Sequence, residues 1–124
     1  MKQYDKMDPK IKKAWVVALR SRRFKQGRGR LKQIVVTESK LDQVKHCCLG
    51  VLCELYAEAQ GKSFEEEIVT SISTTIVFLP KKVQAWAGLT SCDPEIDAEG
   101  TSLADLNDGG KSFRRIATII EKVL

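Results

Sequence analysis

The chain has 124 residues, 43% hydrophobic and 30% charged, with 21 Lys and Arg against 16 Asp and Glu and a single histidine. That length makes one domain, able to hide roughly two-thirds of the surface its unfolded form exposes, so it needs no metal or disulfide staple. The balance excludes a disordered chain, no apolar run approaches the roughly 18 residues of a membrane span, and one histidine removes most imidazole-dependent catalysis and metal binding.

Asp8-Pro9 opens a helix: the carboxylate accepts from unpaired N–H groups and proline suits the first turn. Ile11, Ala14, Trp15, Ala18 and Leu19 recur at three- and four-residue spacing as its apolar stripe, and the helix is expected to end near Ser21 to Arg23. Two glycines two apart, Gly27 and Gly29, then break helix in a basic loop. Leu31 to Thr37 suits a short strand, Glu38 to Asp42 a turn, and Gln43 to Cys47 a returning strand. From Cys48 the sequence CLGVLCELYAEAQ is strongly helical, with Leu49, Leu52, Cys53, Tyr56 and Ala59 or Gln60 on one side and Gly61 as its stop, and it is expected at the centre of the core.

Ile68 to Leu79 is rich in Ile, Val and Thr and reads as strand, its prefix Glu65-Glu66-Glu67 as exposed loop. Pro80 starts a short helix carrying Val83, Trp86 and Ala87, which Gly88 ends. Thr90 to Gly100 is loop by composition. Thr101 or Ser102 caps the helix LADLND, terminated by Gly109-Gly110, and Ser112 caps a last helix whose Phe113, Ile116, Ala117, Ile120 and Leu124 share a face. The fold class expected is α+β, a single domain over 1–124 with about four helices packed on a small antiparallel sheet.

Charge divides the chain. Residues 1–32 hold twelve bases and two acids, a net +10, whereas the other 92 residues carry a net −5. Such asymmetry reads either as a solvated basic face neutralised by the rest of the chain or as a surface for an anionic partner.

Four cysteines raise the question of a metal, and His46, Cys47, Cys48 and Cys53 lie within eight residues. There is no C-x-x-C pair, Cys47 and Cys48 are adjacent and diverge, and Cys92 would have to fold back, so no metal site is assigned. Reduced thiols packed as small hydrophobes fit better. A thiol nucleophile activated by its immediate neighbour His46 is badly placed, because adjacent strand residues point to opposite faces. Asp105 and Asp108 serve as helix-terminal polar groups more readily than as an acid–base pair. No catalytic residue and no cofactor is expected.

Two glycine-interrupted corners carry more chemistry. The segment Lys25-Gln26-Gly27-Arg28-Gly29-Arg30 sets accessible backbone N–H groups beside three cations, the donors phosphate needs. It reads as a phosphate cradle or as an exposed basic hairpin, and it matches neither a Walker A loop nor a dinucleotide fingerprint. Leu106-Asn107-Asp108-Gly109-Gly110-Lys111-Ser112-Phe113-Arg114-Arg115 places cations at a helix start, the electrostatically wrong end, which an anion bound there would explain. Asn107 is a candidate reader of a base or ribose. Trp15 and Trp86 read as core; Phe24, Phe78 and Phe113 border loops and are the stacking candidates.

The blocks Trp15-x-x-Ala18-Leu19-Arg20-Ser21, Gln26-Gly27-x-Gly29-x-Leu31, Cys47-Cys48-Leu49-Gly50-Val51-Leu52-Cys53, Leu79-Pro80-x-x-Val83-x-x-Trp86-Ala87-Gly88-Leu89 and Leu103-x-x-Leu106-Asn107-Asp108-x-Gly110-x-Ser112-Phe113-x-x-Ile116-Ala117 resemble a family of small tailed-phage and prophage proteins. They cover most of the chain outside 1–10, 32–45 and 62–78. One departure is Arg22-Arg23, where a glycine and an acidic residue are more usual. Phage proteins of this size include sponges that sequester nucleotide immune signals, such as the Thoeris anti-defence proteins. The resemblance implies a non-enzymatic anti-defence protein in the cytoplasm of an infected bacterial host, binding a cyclic ADP-ribose isomer or cyclic oligonucleotide; it carries over no ligand residues.

From the residues themselves, Arg20, Lys25, Arg28 and Arg30 are expected to hold phosphates, with Gly27 and Gly29 giving N–H access. Asn107, Ser112, Arg114 and Arg115 are expected to read the base, ribose or a second phosphate, and Phe24 or Phe113 to stack the base. So small a protomer has little room for a deep cavity, so the pocket is expected at a homo-oligomer interface. The alternative partner is nucleic acid, held by the basic first helix and loop; no membrane partner is expected.

Overall fold

A computed structural model describes residues 5–35, 43–68 and 77–124, and within them six helices and three short strands. The first helix, α1 (Pro9–Arg20), starts as its sequence dictates: Asp8 Oδ1 accepts from Lys10 N at 2.9 Å and Ile11 N at 3.2 Å. Trp15, Val16, Ala18 and Leu19 are buried, while Ala14 is exposed and Ile11 half-buried. The stripe is therefore turned one residue from the expected one. The cause is the neighbour α1 meets: it lies chiefly along α6 (Phe113–Val123), and Trp15 Nε1 donates to the Cys48 carbonyl at 2.9 Å.

The strands β1 (Lys25–Gln26), β2 (Lys32–Val35) and β3 (Gln43–His46) form one sheet in the order β1-β3-β2. β2 pairs antiparallel with β3, Lys32 opposite His46 and Ile34 opposite Val44, but β1 pairs parallel, Lys25 opposite Lys45. The sheet is mixed, which corrects the antiparallel expectation. Gly27 to Leu31 do not close a hairpin; they carry the chain around the end of β3, so that β1 and β2 flank it. Gly27 N donates to His46 O at 2.7 Å and Cys47 N to Leu31 O at 3.3 Å across that crossing. The remaining expected residues of the β2–β3 connection, 36–42, lie outside the described residues.

The central helix is α2 (Cys48–Ala59), buried at Cys48, Leu49, Gly50, Val51, Leu52, Cys53 and Ala57. Its first half is covered on all sides rather than on one, and Ala59 and Gln60 are exposed. Gly50 is required there, since a Cβ would fall 1.7 Å from the Leu31 carbonyl oxygen, far inside contact distance. Cys47, Cys48 and Cys53 are core thiols; burial pushes Cys47 up to about 11 and the other two higher still. Cys92 is exposed.

The acidic run expected as loop instead forms a short helix, α3 (Phe64–Glu67), capped by Ser63, whose Oγ accepts from Glu66 N at 3.2 Å. Carboxylates suit the positive end of a helix, which is why the run folds this way. Of the strand expected over Ile68 to Leu79, residues 69–76 lie outside the described residues; Ile68 closes α3 and Leu79 is buried. The short α4 (Lys81–Ala87) ends at left-handed Gly88, and α5 (Leu103–Asp108) opens on a reciprocal Ser102–Asp105 capping box. In α6 the expected face, Phe113, Ile116, Ala117 and Ile120, is buried, as is Leu124 beyond it. The class is α+β: among the described residues, six helices, four of them seven residues or longer, around a small sheet. No helix among the described residues is long and apolar enough to cross a membrane.

Candidate functional site

The two glycine corners meet, and Gln26 joins them. From the end of β1 its Nε2 donates to Asn107 Oδ1 at 3.0 Å and to Lys111 O at 2.6 Å, while its Oε1 accepts from Phe113 N at 3.1 Å. Asn107 completes the clamp. Its Oδ1 also accepts from Cys48 N at 3.1 Å, and its Nδ2 donates to Gly27 O at 2.7 Å and to Asp108 Oδ1 at 3.3 Å. Asp108 Oδ1 in turn accepts from Gly29 N at 2.9 Å.

These bonds correct several expected roles. Asn107 is 0% exposed with both ends of its amide engaged, so it holds the fold and has nothing left with which to read a ligand. A buried amide must find partners within the chain, and this one does. The N–H groups of Gly27 and Gly29 are likewise taken, by His46 O and the Asp108 carboxylate, so an internal carboxylate sits where a phosphate was expected. Phe113 is buried in the core, leaving little ring surface for a base. Gly29 does carry the positive φ, 77°, that the loop requires.

The clamp has a consequence at the surface: it brings the end of α1, β1 and the start of α6 around one open groove. The groove has a volume of about 450 Å³ and is lined by Arg20, Arg22, Phe24, Lys25, Ser112 and Arg114 over an apolar floor that includes Leu19 and Phe113. Six expected site residues (Arg20, Phe24, Lys25, Ser112, Phe113 and Arg114) thus come together, with Arg22 added. Arg28, Arg30 and Arg115 are exposed outside its lining, although Arg28 reaches Gly110, where an added Cβ would lie 3.5 Å from its Nη2. Phe78 is exposed and not part of the lining.

The cations of the groove are not equivalent. Arg20 is committed to α6: its two terminal nitrogens each donate to Glu121 at 3.1 Å. The bonds that Arg20 donates to Glu121 raise the Arg20 pKa and lower that of Glu121. Arg23, outside the groove, pairs with Glu58 and lies over the Phe24 ring at 4.8 Å. Arg22, Lys25 and Arg114 have no ion pair among the described residues. Ser112 caps its own helix, its Oγ accepting from Arg115 N at 3.2 Å. The first turn of α6 contains no acidic residue but carries Arg114 and Arg115, so cations stand at the positive end of the dipole.

Gln26 and Asp108 are the residues that sequence reasoning missed. The available signal was an amide between the cation and the first glycine of a loop, and a carboxylate just before a Gly-Gly stop; both need a partner about eighty positions away to acquire meaning.

A family model described as Domain of unknown function (DUF8296) matches residues 7–124. No curated protein and no solved structure matches the chain.

Proposed function

The chain belongs to this family, whose description assigns no activity, and we propose that it binds a small phosphorylated nucleotide in the groove between α1, β1 and α6, holding it without cleavage. One observation carries the reading: Arg22, Lys25 and Arg114, far apart in sequence and without ion-pair partners among the described residues, surround a single groove at a helix N-terminus. Clustered like charges and cations at the positive helix end each cost a few tenths to about 1 kcal/mol, and an anion seated among them reverses the sign. Guanidinium forks match phosphate oxygens, and the half-buried Phe24 offers a ring to a base.

The resemblance to small phage proteins supports a more specific form of the proposal: an anti-defence sponge that sequesters a nucleotide immune signal, a cyclic ADP-ribose isomer or cyclic oligonucleotide, in an infected bacterial cytoplasm. The groove is open on one side, which favours a second copy of the chain completing the site, and a homo-oligomer is part of the proposal.

Calorimetric titration with a panel of cyclic nucleotides, at two salt concentrations, tests it. Saturation at fixed stoichiometry, weakened about tenfold by Arg114→Ala or Lys25→Ala, with the ligand recovered intact after heat denaturation, is the expected outcome. No heat with any nucleotide overturns it. A second reading, a nucleic-acid strand, is favoured by Arg28, Arg30, Lys111 and Arg115 continuing the cationic surface beyond the groove. It predicts affinity for a short duplex or single strand that falls steeply with salt.

A further inference from the structure

A second groove lies on the other side of Phe24. Its volume is about 390 Å³, and it is lined by Arg23, Phe24, Lys25, Gln43, Val44 and His46. Phe24 and Lys25 belong to both grooves, so the two adjoin. Their remaining side chains differ. The first sets Arg20, Arg22, Arg114 and the Ser112 hydroxyl over Leu19 and Phe113; the second sets Arg23 and the His46 ring beside Val44 and the Gln43 amide.

The alternation of β3 puts Val44 and His46 on one face, and Val44 is 42% exposed there. His46 is a rigid, buried part of this groove. Its ring meets Phe24 edge-on at 5.1 Å and Phe64 at 6.1 Å, and its Nε2 lies 2.8 Å from Glu54 Oε2. Glu54 is itself 3.7 Å from Lys32 Nζ, which stands over the Phe64 ring. A neutral imidazole that donates from Nε2 to Glu54 has a bare lone pair at Nδ1. That atom is buried and has no hydrogen-bond partner, an uncommon state for a polar atom.

We infer that the second groove receives the heterocyclic base of the nucleotide whose phosphates occupy the first. The inference rests on the proposed nucleotide reading and deepens it. Phe24 stands between base and phosphate as a sugar does in the ligand, and presents its ring to the base. Lys25, at the shared rim, reaches phosphate. The Gln43 amide offers both a donor and an acceptor to a base edge, and Val44 gains apolar cover. Arg23, held by Glu58 and by the Phe24 ring, fixes the outer wall.

The test compares nucleotides with their phosphate portion alone. Cyclic ADP-ribose, cyclic di-AMP, ADP and inorganic pyrophosphate are titrated into the full chain and into Val44→Trp, Phe24→Ala and Arg114→Ala. At least one nucleotide is expected to bind about tenfold or more above pyrophosphate, a margin of the size base stacking supplies. Val44→Trp, an exposed position that fills the groove without touching the core, is expected to erase that margin and leave pyrophosphate affinity within about twofold. Arg114→Ala is expected to weaken both probes. Nucleotide binding unchanged in Val44→Trp, with Arg114→Ala still weakening it, overturns the base groove and leaves the phosphate groove standing. Absence of binding by every nucleotide overturns both.

Discussion

The side-chain amide of Asn107 donates to the carbonyl of Gly27 at 2.7 Å, tying two segments eighty positions apart. Through the same amide the chain also secures the Gln26 side chain and the first N–H of α2, so a single residue fastens both glycine corners to the central helix. The groove above inherits its shape from that fastening.

Replacement of Asn107 by Ala strips partners from the Cys48 N–H and the Gly27 carbonyl in a buried site. Each unsatisfied buried group costs about 1–3 kcal/mol, so Asn107→Ala should lower unfolding free energy by about 2–4 kcal/mol. Urea denaturation of the variant measures this; a loss under about 1 kcal/mol would contradict the clamp.

Gly50 presents a sharper steric case. The Leu31 carbonyl occupies the place of its absent Cβ, and backbone cannot move aside as a flexible side chain can. Gly50→Ala, usually stabilising inside a helix, should here cost more than about 3 kcal/mol or prevent folding. Gly61→Ala is a useful contrast: its surroundings are open, so only the strain of its positive φ, 69°, is felt, and the loss should be smaller. Equal thermal shifts for the two variants would refute the crossing.

Burial pushes the Glu54 carboxyl up, but the bond to His46 and the charge of Lys32 more than offset it and hold its pKa below the usual carboxylate range. A carboxyl with a folded pKa below its unfolded one favours the native state above the unfolded value, near pH 4.3, and loses that advantage as pH falls through the folded value. Glu54→Gln should therefore be less stable by about 1–3 kcal/mol at pH 7, and its deficit should narrow on acidification below about pH 4. Stability curves at pH 7 and pH 3.5 decide it, and a deficit that does not change with pH would count against the assignment.

The thiols divide into one reactive and three inert groups. Cys47, Cys48 and Cys53 are buried, with pKa values raised by burial, whereas Cys92 is exposed. A thiol-reactive disulfide reagent at pH 8 should modify one cysteine of the native chain quickly and all four after denaturation. Rapid modification of more than one native thiol would contradict the packing of α2.

What sequence alone conveyed was local. Asp8-Pro9, Ser102, Ser112 and Gly88 mark helix ends through contacts within a turn, and the structure has them at those ends. The apolar spacing of α6 and the core placement of the CCLGVLC segment were legible for the same reason. The parallel pairing of β1 was not: Lys25 and Gln26 are two polar residues with no alternation to read, and their partner lies twenty positions on. Asn107 reads in the sequence as a candidate for a base or ribose edge because nothing nearby announces a partner at Gly27. Arg20, Lys25 and Arg114 were recognisable as cations near loops, but their assembly around one groove is a product of the clamp, and Arg22 joined them unannounced.

The contact between Leu31 and Gly50 also bears on kinetics. With its last residue seated against a buried helix, the stretch that carries Arg28 and Arg30 is a shelf and not a flap. On the proposed reading, an anion entering the neighbouring groove meets Lys25 at the anchored start of this crossing, so little ordering entropy is lost on docking and no slow closing step should follow encounter. Stopped-flow association is then a single exponential whose rate climbs in proportion to ligand concentration.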